Sequence, residues 1–314
     1  MSTASPAPSS FPRSQLLGYI VLCLIWGTTW LAIQEVVQDV PPLEAAAIRF
    51  LISSVLLLGA AWVQKRRWPR GKRSWQALMI LSVTIMAVPY SLLFWAEQYV
   101  ASSMAAVLYS AIPLVVALLT PVMTGRTVPR SAVFALVVAF GALLVLLFRD
   151  LSTNRSALWG DAAVMAAMVL SAWSVVFAKK RLQEVDSVVA TGLQLLFASV
   201  VLFWGTWALE AHRRAQWTRT SLIALAYLTI FGSCIAFVIY YWLLKRMQPY
   251  QLSTTSLVVP VIAVLAGGLI HHESIPLMML VAMVIILVSV GSVLRAEADA
   301  GQQDEILMLR GKTP

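Results

Sequence analysis

Charged side chains are scarce in this sequence. Asp, Glu, Lys and Arg together make up 12% of its 314 residues, whereas an ordinary soluble domain carries roughly 25%. Histidine occurs three times and cysteine twice, and Cys23 and Cys234 both fall inside apolar segments. This argues against a disulfide-stapled scaffold and against a metal site built from paired cysteines. The adjacent His271 and His272 on a short turn do not form a closed ligand set, so we expect no metal and no cofactor.

Hydrophobic residues, by contrast, make up 60% of the chain and are gathered into long runs. A water-soluble fold of this size cannot bury so much apolar surface, whereas a helix of about 20 apolar residues crosses a bilayer. The runs are near-continuous rather than alternating, which predicts helices and not barrel strands. Ten such segments are present, at 16–36, 43–63, 75–99, 104–124, 132–148, 158–178, 188–209, 221–244, 252–270 and 275–294. The sequence therefore predicts an all-α membrane protein with ten transmembrane helices.

The chain repeats itself at an offset of 147 residues. Matched residues keep this spacing without insertion and include the pairs Trp26 and Trp173, Asp39 and Asp186, Phe50 and Phe197, Trp95 and Trp242, Pro113 and Pro260, and Pro129 and Pro276. We predict two five-helix repeats at 15–148 and 158–295, flanked by disordered tails at 1–12 and 296–314. Because five is odd, the second repeat must cross the bilayer in the opposite sense, which is the inverted-repeat plan of many membrane transporters.

The basic residues predict the orientation in the membrane. With a cytoplasmic N-terminus, 17 of the 23 Lys and Arg residues fall inside and 5 fall outside, as the positive-inside rule requires. We therefore expect a protein of the cell membrane with both termini in the cytoplasm. The basic segment 65–73 suits anionic lipid better than nucleic acid when it lies beside a membrane. The expected partners are the lipid bilayer and a small-molecule substrate, with no nucleic acid.

Several short motifs occur in the same order and spacing as in a known family. They are 25–30 (IWGTTW), 41–43 (PPL), 49–51 (RFL), 171–173 (SAW), 231–233 (FGS), Pro249, and 260–265 (PVIAVL) ahead of Glu273. The chain resembles the EamA branch of the drug/metabolite transporter superfamily over residues 15 to 295. The resemblance implies ten helices and the movement of amino acids, drugs or other small metabolites, often outward. Two features depart from the family pattern, because Arg126 stands at the repeat position of Glu273 and Leu196 at that of Arg49.

Aromatic and small polar side chains within the helices are candidates for a central binding site. They come from both repeats, and large aromatic rings facing a cavity suit apolar or aromatic substrates. The candidates are Trp26, Thr29, Trp30, Tyr90, Trp95, Tyr109, Ser110, Trp173, Gln194 and Tyr240. The alternative is that the small residues serve helix packing and the Trp residues anchor helix ends at the membrane interface.

A second group of residues is a candidate for gating or for structure. Arg49 is the strong base predicted inside a helix, where it either contacts an anion or gate, or anchors neighbouring carbonyls or carboxylates. Pro113 and Pro260 each free a backbone carbonyl and permit a kink, which is either a moving hinge or a static bend. Glu273 lies at the turn between the ninth and tenth segments.

The sequence favours a multi-pass transporter that exports small metabolites by alternating access, with one repeat rocking against the other. No Asp or Glu lies clearly at mid-helix to carry a proton, so facilitated export down a gradient is the favoured mechanism. Proton-coupled export through Glu35, Glu97 or Glu273 is the alternative mechanism. An intramembrane enzyme acting on a lipid-phase substrate is the alternative, but no nucleophile with a matching base is evident. A sensory receptor is weaker because the chain has no soluble output domain. A complete duplicated pathway in one chain permits a monomer.

Overall fold

The computed structural model describes residues 12–96, 99–100, 105, 108–147, 158–271 and 277–310, and all regular structure within them is helical. The first half contains α1 (Arg13–Asp39), α2 (Pro42–Val63), α3 (Lys72–Leu81), α4 (Val88–Ala96), α5 (Ile112–Thr124) and α6 (Arg130–Leu147). The second half contains α7 (Leu158–Arg181), α8 (Ser187–Gly205), α9 (Arg219–Tyr227), α10 (Ala236–Leu244), α11 (Pro249–Ser253), α12 (Thr255–His271) and α13 (Leu277–Arg310).

Three π-helical segments continue these helices. Ser82–Ala87 joins α3 to α4, Leu228–Ile235 joins α9 to α10, and Thr206–Glu210 extends α8. A π-turn accommodates one extra residue, and such turns are found frequently at functional sites. Helices α3 and α4, and likewise α9 and α10, therefore form continuous apolar rods, and α8 is lengthened to Glu210.

Eight of the described helical rods are long and apolar enough to cross a bilayer. Two shorter apolar helices, Ile112–Thr124 and Arg130–Val145, lie where the sequence predicts the fourth and fifth crossings. The first of them is short because the chain turns at Ser110 and Ala111 just before it. Eight of the ten predicted crossings therefore have helices of the necessary length, and the total of ten stays a prediction.

The duplication is visible in the helix boundaries. Arg219 begins its helix 147 residues after Lys72 begins its own (219 − 72). The π-helical segment Leu228–Ile235 likewise covers the positions equivalent to Ser82–Ala87. Equivalent sequences in the two halves thus adopt equivalent local structure, including its irregular part.

The two halves pack into each other. The most extensive contacts run between α2 and α8 and between α6 and α13, which are equivalent helices of the two halves. In addition, α4 and α5 pack on α7, while α9 and α12 pack on α1. Each of these contacts has a counterpart under the repeat offset, as a two-fold pseudo-symmetry requires. The core therefore belongs jointly to both repeats.

The outward faces of the helices carry large apolar side chains. Trp62, Val122, Phe134, Trp159 and Leu277 are between 71% and 83% exposed. Water would disfavour such a surface, whereas the hydrocarbon of a bilayer solvates it. Together with the eight long apolar rods, this surface identifies a multi-pass membrane protein.

Contacts between the halves also hold the helix ends near Asp39. The buried carboxylate of Glu210 accepts hydrogen bonds from the backbone N–H of Leu43, at 3.1 and 3.2 Å, and of Glu44, at 3.2 Å. It thereby caps α2, whose first four N–H groups have no partner within the helix. Thr218, the N-cap of α9, donates to Asp39 Oδ2 at 2.5 Å. Side chains of the second half thus anchor the turn between α1 and α2.

The two tails compare differently with the sequence prediction of disorder. Helix α13 continues to Arg310, so the structure has helix over 296–310 where we expected a disordered tail. The N-terminal tail up to residue 11 lies outside the described residues.

Candidate functional site

Aromatic rings from both halves meet at the centre of the molecule. Trp26 of α1 lies against Phe237 and Tyr240 of α10, with ring centroids 5.7 and 5.5 Å apart. Phe50 of α2 contacts Phe237 at 6.4 Å and Tyr90 of α4 at 5.5 Å. Edge-to-face geometry of this kind favours aromatic pairs beyond simple area burial. These five rings, called the aromatic cluster below, pack directly on one another and join four helices.

Arg49 lies beside the aromatic cluster and is 5% exposed. Its Nε donates to the Ser233 hydroxyl at 2.6 Å, and its guanidinium carbon lies 5.5 Å from the Phe50 ring centroid. Ser233 is presented by the π-helical segment Leu228–Ile235. A Cβ added at Gly232 would lie 3.2 Å from an Arg49 terminal nitrogen, so the glycine allows this close approach. The sequence permits two alternative roles for Arg49, a structural anchor and a contact for an anion. Its surroundings in the structure are compatible with both roles.

A small cleft of about 20 Å³, room for about one water molecule, lies beside Arg49 and Tyr90. Its walls come from the last turns of α1, the first turns of α2, and the junction of α9 with the π-helical segment Leu228–Ile235, and they include Val36, Pro42 and Leu228. Most of these lining side chains are apolar, so Arg49 provides the positive charge of the cleft. The cleft touches the aromatic cluster at Tyr90.

Polar contacts between the halves also hold together the end of the molecule opposite Asp39. These contacts are an ion pair between Arg66 and Asp186 at 3.0 Å, a hydrogen bond between Tyr19 and Thr254 at 2.7 Å, and one from Lys180 Nζ to the Met123 carbonyl at 3.2 Å. Asp186 also caps α8 by accepting from the backbone N–H of Val188 and Val189. Each contact joins an element of the first half to one of the second, as the contacts of Glu210 and Thr218 do near Asp39.

Two lysines bind carbonyl groups at the same end as the Arg66–Asp186 pair. Lys245 Nζ donates to the carbonyl of Val185, and Lys179 Nζ donates to the carbonyls of Lys245 and Met247 at 3.0 and 2.9 Å. Burial lowers the pKa of the Lys245 ammonium, while the nearby Asp186 carboxylate opposes that shift. Cations at helix C-termini are favourable because the last carbonyls there lack partners.

The structure brings some of the sequence candidates together and separates others. Trp26, Tyr90 and Tyr240 belong to the aromatic cluster, and Tyr109 packs against the same hydrophobic core. The Tyr109 hydroxyl also bonds Ser171 at 2.9 Å. Their role in binding stays a prediction.

Other candidates lie away from the cluster or bind their own surroundings. Trp173 stacks on Phe177 at 4.8 Å, and Trp95, 39% exposed, packs against Tyr99. Thr29 donates back to the Trp26 carbonyl at 2.7 Å, which is the local bond that threonine readily makes within a helix. The side chain of Trp30, as well as Glu97 and Glu273, lies outside the described residues.

Gln194 and Ser110 each bind a second helix. Gln194 is fully buried, and its Oε1 accepts from the Tyr241 hydroxyl at 2.6 Å. Ser110 donates to the carbonyl of Ser256 at 2.9 Å, which ties the turn before α5 to α12. Both residues thus hold helices around the aromatic cluster.

The two predicted prolines occupy different positions in their helices. Pro260 lies inside α12, where its ring interrupts the hydrogen-bond ladder. Pro113 instead lies in the first turn of α5, where its missing N–H has no consequence, and Pro121 is the interior proline of that helix. The break that we expected around Pro113 lies just before it, at Ser110 and Ala111.

Sequence reasoning missed several residues of the site. From the sequence, Phe50 stands out only in a repeat pair and Ser233 only in a motif, and no role is assigned to Phe237 or Glu210. One signal was present, because Phe237 occupies the repeat position of Tyr90 and both rings contact Phe50. Within the part of the chain that the structure describes, no three His, Cys, Asp or Glu residues come close enough to hold a metal.

These features define a helical, multi-pass membrane protein with a central aromatic and cationic site between two repeats. The EamA-like transporter family matches residues 13–148 and 158–295. The chain belongs to this family, which confirms the resemblance of its motifs.

Curated relatives match along most of their length. Protein PagO of Salmonella typhimurium is 27% identical, with 82% of this chain and 85% of PagO aligned. The uncharacterized transporter YoaV of Bacillus subtilis is 28% identical, over 83% and 89%. The uncharacterized inner membrane transporter YedA of Escherichia coli is 27% identical, over 81% and 82%. A solved crystal structure aligns with this chain at a TM-score of 0.77 and 19% sequence identity. The alignment covers 89% of this chain and 96% of the chain in that structure, so the two proteins share a fold.

Proposed function

We propose that this protein is a transporter of the cell membrane that exports small metabolites, such as amino acids, drugs or related solutes. The observation that carries the proposal is the aromatic cluster, which both repeats build and which a small cleft touches at Tyr90. Polar contacts between the halves hold the helix ends on both sides of the cluster, and the end with the Arg66–Asp186 pair is proposed as the closed end. A central site reached from one side at a time is what alternating access requires. Relatives named as transporters support the same function.

The transporter is proposed to contain ten crossings in two inverted five-helix repeats. The charge distribution supports this arrangement, since 17 Lys and Arg residues fall on one side and 5 on the other when the repeats are inverted. The paired contacts α2 with α8 and α6 with α13 support it as well, because equivalent helices meet at a pseudo-two-fold axis. In this arrangement the N- and C-termini and the closed end face the cytoplasm, and the cleft faces outside.

Opening of the cytoplasmic end requires the contacts between the halves to break. The Arg66–Asp186 ion pair is partly exposed, and such pairs contribute only about 0–1 kcal/mol. A few contacts of this strength can hold the cytoplasmic end closed and still break readily when the repeats move. Outward movement down a gradient is the proposed mode, because no carboxylate is evident at mid-helix to carry a proton.

Uptake into proteoliposomes tests the proposed function. The purified protein is reconstituted and assayed with a panel of radiolabelled amino acids and cationic drugs, with and without a pH gradient. We expect saturable flux of at least one solute, and lower flux for Trp26→Ala, which removes the ring that contacts Phe237 and Tyr240. Trp62→Ala, which removes an outward-facing ring, is the matched control and should retain flux.

Two outcomes contradict the proposal. Absence of flux for every solute in the panel, with correctly folded protein, would exclude transport of these classes. Chemical alteration of a solute or lipid without net movement would favour an intramembrane enzyme instead. A dependence of flux on the pH gradient would replace facilitated movement with proton coupling and leave the transporter function in place.

A further inference from the structure

Arg49 is a buried cation without a carboxylate partner among the described residues. It lies seven residues after Pro42, which is about 10 Å along α2 from its start. Other carboxylates at this end of the molecule are engaged or exposed: Glu210 caps α2, Asp39 accepts from Thr218, and Glu35 is exposed on α1. The ion pair found in the described part of the chain is Arg66 with Asp186, near the other end of the helix. A charge inside a membrane is costly unless it is paired or reaches water.

The hydrogen-bonding capacity of Arg49 is largely unused. A guanidinium has five N–H donors, and in the described structure only Nε has an acceptor, the Ser233 hydroxyl at 2.6 Å. Ser233 and the Phe50 ring hold the plane of the guanidinium. Both terminal nitrogens therefore remain available in a preorganised side chain, which is the arrangement that accepts a bidentate carboxylate.

The guanidinium also lines the cleft. Arg49 and Tyr90 both line it, and its other walls are mostly apolar. Phe50 follows Arg49 in sequence and contacts both Tyr90 and Phe237. Of the aromatic cluster, Tyr90 lines the cleft, whereas Phe50 is 0% exposed. A solute that enters here therefore meets the Arg49 cation and the Tyr90 ring, and the cleft must widen from about 20 Å³ to admit it.

We propose that Arg49 binds the carboxylate of an anionic solute whose apolar or aromatic body packs against the aromatic cluster. The inference rests on the proposed transport function and names the substrate class of that site. A carboxylate is favoured over a phosphate, because a doubly charged group would call for a second cation, and no other Lys or Arg lines the described cleft. The solute neutralises the buried charge, so the loaded site is easier to enclose in a low-dielectric core than the empty one.

Binding measurements on the full-length protein in nanodiscs test this assignment. The probes are radiolabelled phenylacetate and its neutral amide, phenylacetamide, which differ in charge but share the aromatic body. We expect the wild-type protein to bind the acid at least about ten-fold more tightly than the amide, since a charge-assisted bidentate pair is worth about 1.4 kcal/mol or more. Arg49→Gln should lose this preference and still bind the amide.

Two further variants separate charge from geometry and from folding. Arg49→Lys keeps a cation but loses the planar fork, so its preference should be intermediate. Arg67→Gln removes an exposed arginine that takes part in none of the described contacts between the halves and should keep the wild-type preference. Amide binding by Arg49→Gln shows that the variant is folded, and Arg49→Lys provides the test if Arg49→Gln does not fold.

The results distinguish this inference from the proposed function. An unchanged preference in Arg49→Gln, or no binding of phenylacetate by the wild-type protein, would overturn the assignment. Flux of neutral solutes in proteoliposomes without any preference for acids would overturn it too, and would leave the transporter function standing. Acid binding that depends on Arg49, in a protein that moves no solute, would retain the binding site and remove the transport function.

Discussion

Gln194 is fully buried, and both ends of its amide group are hydrogen-bonded. Nε2 donates to the Ala190 carbonyl at 3.1 Å, and Oε1 accepts from the Tyr241 hydroxyl at 2.6 Å. The second bond joins α8 to α10 beside the aromatic cluster. A buried acceptor that loses its donor retains its full desolvation cost.

Tyr241→Phe should therefore destabilise the protein by about 1–3 kcal/mol, because it leaves Gln194 Oε1 without its donor. The measurement is the midpoint of thermal unfolding of the purified protein in detergent, which we expect to fall. Tyr99→Phe is the control, since Tyr99 is 47% exposed, and its midpoint should stay unchanged. Equal midpoints for both variants would show that the Gln194–Tyr241 bond contributes nothing.

At the level of single residues, the sequence predicts which helix a side chain lies in better than it predicts which side chain it bonds to. Arg49 is recognisable as a base within an apolar run, and the structure buries it in α2 as that run implies. Its partner Ser233 lies 184 residues away, and no periodicity links the two. Side-chain pairs of this kind depend on how helices pack, which hydropathy does not encode.

At the level of helices, close packing depends on particular glycines. Helices α1 and α12 approach each other at Gly27, where an added Cβ would lie 2.4 Å from Ile262 Cγ2. Small residues allow such approaches in membranes, where packing rather than the hydrophobic effect drives association. Gly59 of α2, by contrast, has open space around the position of a Cβ.

Gly27→Ala should destabilise the protein by about 1–3 kcal/mol, because the methyl group forces α1 and α12 apart. Gly59→Ala is the matched control and should leave the thermal midpoint unchanged or raised, since Ala favours a helix by about 1 kcal/mol over Gly. The double variant Gly27→Ala with Ile262→Ala relieves the clash and should recover part of the loss. A midpoint for Gly27→Ala equal to that of Gly59→Ala would contradict the close contact.

Sequence patterns predict where the helices lie but not their internal irregularities. Long apolar runs account for the eight rods of sufficient length. The π-helical segments Ser82–Ala87 and Leu228–Ile235 have no distinctive composition, because one extra residue in a turn leaves the apolar character unchanged. The turn at Ser110 was expected at Pro113, since proline is the visible signal and the break lies a few residues earlier.

At the scale of the whole molecule, the repeat offset supplies a direct test of inversion. Arg67 and Arg214 are repeat equivalents, 147 residues apart, and both are exposed. In two inverted repeats these positions must lie on opposite sides of the membrane. The offset alone predicts this relation, whereas the packing of α2 on α8 became apparent only from the structure.

Cysteine labelling in intact cells measures the orientation. We expect an impermeant maleimide to label Arg214→Cys from outside, and to label Arg67→Cys only after the membrane is permeabilised. The wild-type protein gives the background, because Cys23 is buried and Cys234 is half-buried. Labelling of both variants from the same side would mean that the repeats are parallel and would remove the inverted plan.

The cap that Glu210 places on α2 has a consequence for sequence divergence. Its donors are main-chain amides of Leu43 and Glu44, so exchanges at those two positions leave the hydrogen bonds in place unless proline is introduced. This cap therefore depends on the side chain of Glu210 alone. Substitution of Glu210 should release the first turn of α2 from the second half, whereas exchanges at positions 43 and 44 other than to proline should not.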